Sequence, residues 1–145
     1  MLRAALVVAV LAAVLGFILT SCPANRDGAP GQLAAAKEEV QSATRSAALS
    51  VSLWSRGRTT RNLVSVQLAD ARDEAVKAYR GIATLKAVTA VDADRQRLLT
   101  QSTNELIDML NSAIGAVRDV SGQPDPEVIR RRLLEAADQL EREYR

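Results

Sequence analysis

The chain lacks histidine altogether, and its only cysteine is Cys22. Beyond that residue these absences exclude disulfide bonds, zinc sites built from histidine and cysteine, and nucleophilic catalysis that relies on a histidine base. Composition therefore predicts a protein that is not an enzyme and that has no metal site and no cofactor.

Aromatic residues are also scarce, because one Phe, one Trp and two Tyr are all that 145 residues contain. A core must then be built from Ala, Leu, Val and Ile, which suits closely packed helices. No proline occurs between Gly31 and Gln123, and this interval is rich in good helix formers with apolar residues at helical spacing. Strand signals are missing, so the sequence predicts an all-α fold.

The charge is nearly balanced, with 19 basic and 17 acidic residues and a net charge of +2. Such a balance gives no general attraction to a polyanion, and nucleic acid is not an expected partner. The 16 arginines against 3 lysines, together with abundant alanine, are typical of a high-GC genome such as that of an actinobacterium.

The first 22 residues have the order of an export signal. A single positive charge at Arg3 precedes an uncharged apolar run from Ala4 to Leu19, and small residues then precede Cys22. The tetrapeptide Leu19-Thr20-Ser21-Cys22 resembles the lipobox of bacterial lipoproteins. The resemblance implies a signal peptide over residues 1–21, acylation of Cys22 with palmitate-like chains, and attachment to the extracytoplasmic face of the cell membrane.

Two other interpretations of this segment remain open. The apolar run is slightly shorter than the roughly 18 to 20 residues of a membrane-spanning helix, so an uncleaved span is one of them. A plain secretory signal is the other.

In the lipoprotein interpretation, two acyl chains on Cys22 would give stable anchoring, whereas one chain gives only reversible binding. Cleavage before Cys22 would leave 124 residues, enough for one domain.

A short segment separates Cys22 from the predicted domain. Residues 23–32, PANRDGAPGQ, are rich in Pro, Gly and small polar residues, which bury too little apolar surface to order themselves. We expect a flexible tether over residues 22–32 and a helical bundle over residues 33–145. A loop packed on the domain is the alternative for the tether.

Four helices are predicted, over about residues 33–55, 61–86, 90–121 and 126–144, with Gly122 in the C-cap position after the third. Gly57 favours a break between the first two, although the apolar stripe continues in phase and one helix over 33–86 stays an alternative. Thr89 with Asp92 fits a capping box, and Asp125-Pro126 is a typical helix start. Short connections predict an up-down bundle of three or four antiparallel helices.

The most distinctive basic stretch is Arg45–Arg61, which contains four arginines and no acidic residue around the only tryptophan. Its predicted binding residues are Trp54, Arg56, Arg58 and Arg61. Tryptophan and arginine are common at binding hot spots, and guanidinium groups suit phosphate or carboxylate. The alternative is that Trp54 belongs to the core and that the arginines solvate a helix end.

Two other clusters of charged residues could have a chemical role, but their spacing does not require one. Asp70, Asp73 and Glu74 share a helix face and could hold a hard cation or serve as a carboxylate pair in hydrolysis. Charged triplets on solvated faces are ordinary, and a surface role is the simpler interpretation. Arg130–Arg132 is a basic run, but consecutive helical residues point about 100° apart and cannot form one compact patch.

Three functional hypotheses follow from the sequence. The first is a membrane-anchored, non-catalytic envelope lipoprotein that acts by protein interaction. The second is a binder of anionic lipid or envelope polymer, or a phage-exclusion lipoprotein, that uses the Trp54 and arginine patch. The third, a carboxylate-based hydrolase, has the weakest support.

Overall fold

The structure, a computed structural model, describes residues 28–118 and 124–144. Four helices occupy these ranges: α1 (Gly28–Ser55), α2 (Arg61–Thr84), α3 (Ala90–Val117) and α4 (Pro126–Glu143). No strand occurs within them. The all-α prediction and the four-helix alternative are confirmed, while the signal sequence, including Leu19, Thr20, Ser21 and Cys22, lies outside the described residues.

Helix α1 begins earlier than the sequence predicts. It starts at Gly28 rather than Leu33, so residues 28–32 are helical and only residues 22–27 remain for a tether. Pro30 is tolerated because the first turn of a helix has no intrahelical partner for its missing N–H. Leu33 is completely buried, which holds the first turns of the helix on the core.

The break between α1 and α2 occurs at Gly57, as the glycine signal predicts. Gly57 has a φ of +66°. Its N–H donates to the carbonyl of Trp54 at 2.9 Å, and the N–H of Arg58 donates to the carbonyl of Leu53 at 2.8 Å. These two bonds form a Schellman motif. Thr60 then caps α2 by accepting from the N–H of Leu63 at 3.2 Å, so the single-helix alternative is wrong.

The other predicted caps are present. The hydroxyl of Thr89 accepts from the N–H of Asp92 at 3.1 Å and donates to its carboxylate at 2.8 Å. Asp125 accepts from the N–H of Glu127 at 2.8 Å, with Pro126 at the first helical position. The α2 terminus is capped from outside, because Gln96 of α3 donates to the carbonyl oxygens of Ile82 and Leu85; no sequence signal predicts this contact.

The helices run up and down around one core, with α1 at the centre of the contacts. Helix α1 packs against the three other helices, whereas α2 and α4, over their described residues, lie at opposite corners without touching. Contacts between α1 and α4 follow antiparallel register, since Gln41 donates to the carbonyl of Ala137 at 3.2 Å and Lys37 lies over the Tyr144 ring. Arg118, after α3, likewise donates to Ser65 of α2 at 2.9 Å.

The core is aliphatic, as the shortage of aromatic residues predicts. Small side chains such as Ala47, Ala75 and Ala113 are almost completely buried where helices meet, which lets the backbones approach closely. Trp54 and Tyr144 only border this core. The largest fully buried side chains are Leu33, Val51, Val64, Leu68, Ile82, Leu99, Leu106, Leu110, Val117 and Leu133.

Candidate interaction surface

The predicted binding residues lie at one end of the bundle. Trp54 is in the last turn of α1, Arg56 and Arg58 are in the connection to α2, and Arg61 begins α2. This is the end opposite Gly28. The turn at Gly57 therefore brings the predicted residues together, because it reverses the chain between the two helices that carry them.

The tryptophan and the arginines differ in exposure. Arg56, Arg58 and Arg61 are exposed, whereas Trp54 is half-buried and packs against the core. Trp54 thus combines the two interpretations of the sequence, since part of its ring supports the fold and part stays accessible.

Apolar side chains that sequence reasoning did not assign to a site surround this end. Leu49, Leu53, Leu63 and Val66 are 37 to 61% exposed. They occupy the last turns of α1 and the first turns of α2, on both sides of the arginine-bearing connection. We call these four residues, with Trp54, Arg56, Arg58 and Arg61, the distal surface. Leu49 and Leu53 are spaced i, i+4 outside the core stripe of α1, but such surface leucines are common and do not mark a site by themselves.

The distal surface is basic in sequence but has a carboxylate beside it. Residues 46–69 contain no Asp or Glu. At the start of α4, however, the pKa of Glu127 is held below its usual value, chiefly because Arg130 donates to its carboxylate and to a lesser degree because of the charges of Arg56 and Arg131. Arg130 already binds Glu127 through Nε at 3.0 Å to both oxygens, so this carboxylate offsets little of the connection's charge.

The other charged groups are ordinary surface features. Asp70, Asp73 and Glu74 are all exposed on α2, and Asp73 pairs with the neighbouring Arg72 at 2.7 Å. In the described ranges no group of carboxylate side chains is arranged to hold a metal ion.

The arginine run of α4 does not form a patch. Arg130 binds Glu127, one turn earlier, and Arg131 lies 3.7 Å from Glu135, one turn later. The two side chains reach towards opposite ends of the helix, and the 100° spacing of consecutive residues places them on different faces. Both guanidinium groups are therefore already paired with carboxylates of α4.

An open groove of about 650 Å³ lies between α2 and α3, lined by Tyr79 and polar side chains. Three of those polar side chains already have partners within the fold. Gln96 caps α2, Thr100 donates to the carbonyl of Gln96 at 2.7 Å, and Gln101 donates to Glu105 at 3.0 Å. The Gln96 bonds link α3 to the end of α2, whereas the Thr100 and Gln101 bonds lie within α3.

The geometry defines an antiparallel four-helix bundle with an apolar and basic surface at one end. Comparison with protein-family models, with curated proteins and with solved structures finds no match for the chain. None of the four described helices is both long and apolar enough to cross a membrane.

Proposed function

We propose that the protein is a lipid-anchored, non-catalytic component of the cell envelope that binds another protein through the distal surface. The lipobox-like tetrapeptide ending in Cys22 supports the anchor on the extracytoplasmic face of the cell membrane. The distal surface supports the binding role. The anchor and the surface are at opposite ends of α1, so the bundle holds its binding face away from the membrane.

The observation that carries this proposal is the exposure of Leu49, Leu53, Leu63 and Val66 beside the arginines. Several large apolar side chains exposed near one end of a bundle favour an interaction surface there. Arginine at the rim suits carboxylates on the partner. The surface therefore fits an apolar protein segment that also carries Asp or Glu. A second copy of this chain fits less well, because a symmetric contact would bring the arginines of the connection together.

The length of α1 argues against the lipid headgroups of the anchoring membrane as the ligand. Its 28 residues span about 42 Å at 1.5 Å per residue. An upright bundle therefore places Arg56 and Arg58 far from the surface that holds Cys22. Anionic envelope polymer, or an incoming phage protein in an exclusion role, remains the second candidate, and the acid-free stretch 46–69 favours it.

Site-specific photocrosslinking in native membranes tests the binding role. Crosslinkers at Leu49, Leu63 and Val66 are expected to yield the same adduct, while crosslinkers at the exposed control positions Asn104 and Glu135 are not. Adducts that are absent at native abundance, or equally strong at the controls, would contradict the proposal.

Two sets of substitutions separate the candidate ligands. Arg56→Ala, Arg58→Ala and Arg61→Ala together should weaken binding of either a protein or a polyanion. Leu49→Ser with Leu63→Ser should weaken binding of a protein only, because a polyanion gains little from apolar contacts. All five substituted side chains are exposed, so circular dichroism should show that each variant keeps the helical fold. A ligand that no longer binds the arginine variant but still binds the Leu49→Ser, Leu63→Ser variant would favour the second candidate.

The intact mass of the protein shows directly whether the chain is cleaved before Cys22 and acylated there. Protein extracted from its native membrane should have the mass of residues 22–145 plus acyl chains, and Cys22→Ala should abolish that species. An unmodified full-length mass would instead indicate a spanning segment. An unacylated chain cut elsewhere would indicate secretion.

A further inference from the structure

The end of the bundle opposite the distal surface also exposes apolar side chains. Val88, in the connection between α2 and α3, is 87% exposed, and Val91, in the first turn of α3, is 57% exposed. Lys86 is exposed beside them. We call residues 86–91 the proximal loop.

The two carboxylates that follow this loop in the sequence are already engaged. Asp92 is buried and bonded to Thr89, and Asp94 pairs with Arg97. The exposed part of the loop is therefore apolar with one basic residue, so contact with a headgroup region would bury apolar surface without placing an unpaired carboxylate against lipid phosphates.

The proximal loop lies at the end where the chain enters the bundle. Helix α1 begins there at Gly28, and the Tyr144 ring at the end of α4 is approached by Lys37 of α1 and by Arg95 of α3, at 5.6 and 5.5 Å from the ring centroid. The third turn of α1 and the second turn of α3 thus lie beside the end of α4. The loop that precedes α3 belongs to the same end.

The early start of α1 limits how far this end can move from Cys22. Six residue steps separate Cys22 from Gly28, and a fully extended chain of that length spans at most about 20 to 22 Å. A tether that ended at Gln32 would have allowed the bundle to stand clear of the bilayer. With α1 starting at Gly28, the proximal end stays within a short distance of the headgroups.

We propose that the proximal loop contacts the bilayer that holds Cys22, with Val88 entering the headgroup region and Lys86 facing lipid phosphates. This inference rests on the proposed lipid anchor. The contact would add a second attachment point and fix the bundle upright. The distal surface would then be held at the full length of α1 from the membrane.

Lipid-borne quenchers test the contact in the acylated full chain. Val88→Cys and, as a matched control from the distal surface, Val66→Cys are each labelled with an environment-sensitive dye and reconstituted into vesicles containing anionic lipid. Nitroxide-labelled headgroups should quench the dye at residue 88 at least twofold more than the dye at residue 66. Aqueous iodide should show the reverse order.

Flotation of the same samples separates failure of the anchor from failure of the loop contact. Acylated protein should float with the vesicles and Cys22→Ala should not. Protein that floats but shows equal lipid quenching at residues 88 and 66 would overturn the contact while leaving the anchor in place. Protein that does not float would overturn both. A dye at residue 88 shielded from lipid and aqueous quenchers alike would indicate cover by protein and would also overturn the contact.

Discussion

Arg45 of α1 and Glu141 of α4 form a direct ion pair, with Arg45 Nη2 lying 2.8 Å from Glu141 Oε2. The same guanidinium lies 3.8 Å from a carboxylate oxygen of Asp138. In sequence, Arg45 belongs to the arginine-rich stretch that leads to Arg61. In the structure it joins two helices, several turns from the connection, and is not part of the distal surface.

We expect Arg45→Ala to leave partner binding unchanged. Its side chain and that of Glu141 are 52 and 55% exposed, so the substitution should lower the free energy of unfolding by less than about 1 kcal/mol. Photocrosslinking from residue 63 and urea unfolding check the two expectations. Arg58→Ala is the comparison, because it should weaken binding without measurable loss of stability. Equal loss of crosslinking in both variants would contradict the assignment of Arg45.

Gly57 and Gly81 provide a matched pair of glycines. A Cβ at either position meets no heavy atom within 4 Å, so backbone conformation decides the effect. Gly57→Ala should lower the free energy of unfolding by about 1 to 2 kcal/mol, because a side chain disfavours the left-handed φ. Gly81→Ala, inside α2, should raise it by about 0.5 to 1 kcal/mol. Equilibrium urea unfolding measures both, and changes of the same sign would contradict this account.

Thr103 and Thr44 test what a buried hydroxyl contributes. In the described part of the chain the Oγ1 of Thr103 has no hydrogen-bond partner, although the residue is completely buried. Thr103→Val should therefore raise the free energy of unfolding by about 1 kcal/mol, since an unpaired buried polar group is costly. Thr44 donates to the carbonyl of Val40 at 2.6 Å, so Thr44→Val should lower it by about 0.5 to 1.5 kcal/mol. Both changes keep β-branching constant. A destabilising Thr103→Val would indicate a partner for that hydroxyl.

Glu127 should titrate below the usual carboxyl value of 4.5, chiefly because Arg130 donates to it. A lowered pKa in the fold means that the pair stabilises the protein above the usual pKa, and that this contribution is lost as the pH falls through the lowered value. NMR titration of the Glu127 carboxyl carbon measures it. Arg130→Gln should move the pKa back towards 4.5, and Arg131→Gln should move it much less. A wild-type value at 4.5 would contradict the pair.

Most of the fold was predictable because its signals are local. The Gly57 break, the Thr89 cap and the Asp125-Pro126 start each follow from the chemistry of one or two residues. The start of α1 was not, because Pro and Gly in residues 28–32 favour a loop locally while burial of Leu33 favours helix through contacts distant in sequence. The Gln96 cap on α2 is equally non-local.

The candidate surface was predictable only in its basic half. Trp54, Arg56, Arg58 and Arg61 are unusual residue types in this chain and stand out in the sequence. Leu49, Leu53, Leu63 and Val66 do not, because leucine and valine outside the core stripe are common on helices. Only the packing of α1 against α2 shows that these side chains flank the same connection.

The position of α1 has a mechanical consequence. The helix begins at the end that leads to Cys22 and ends at Ser55 beside the connection, so in the proposed arrangement a pull between membrane and partner acts along the α1 axis. Load taken up by the α2 part of the distal surface reaches α1 through the packed α1–α2 interface. The other three helices pack along the sides of α1 and support it laterally.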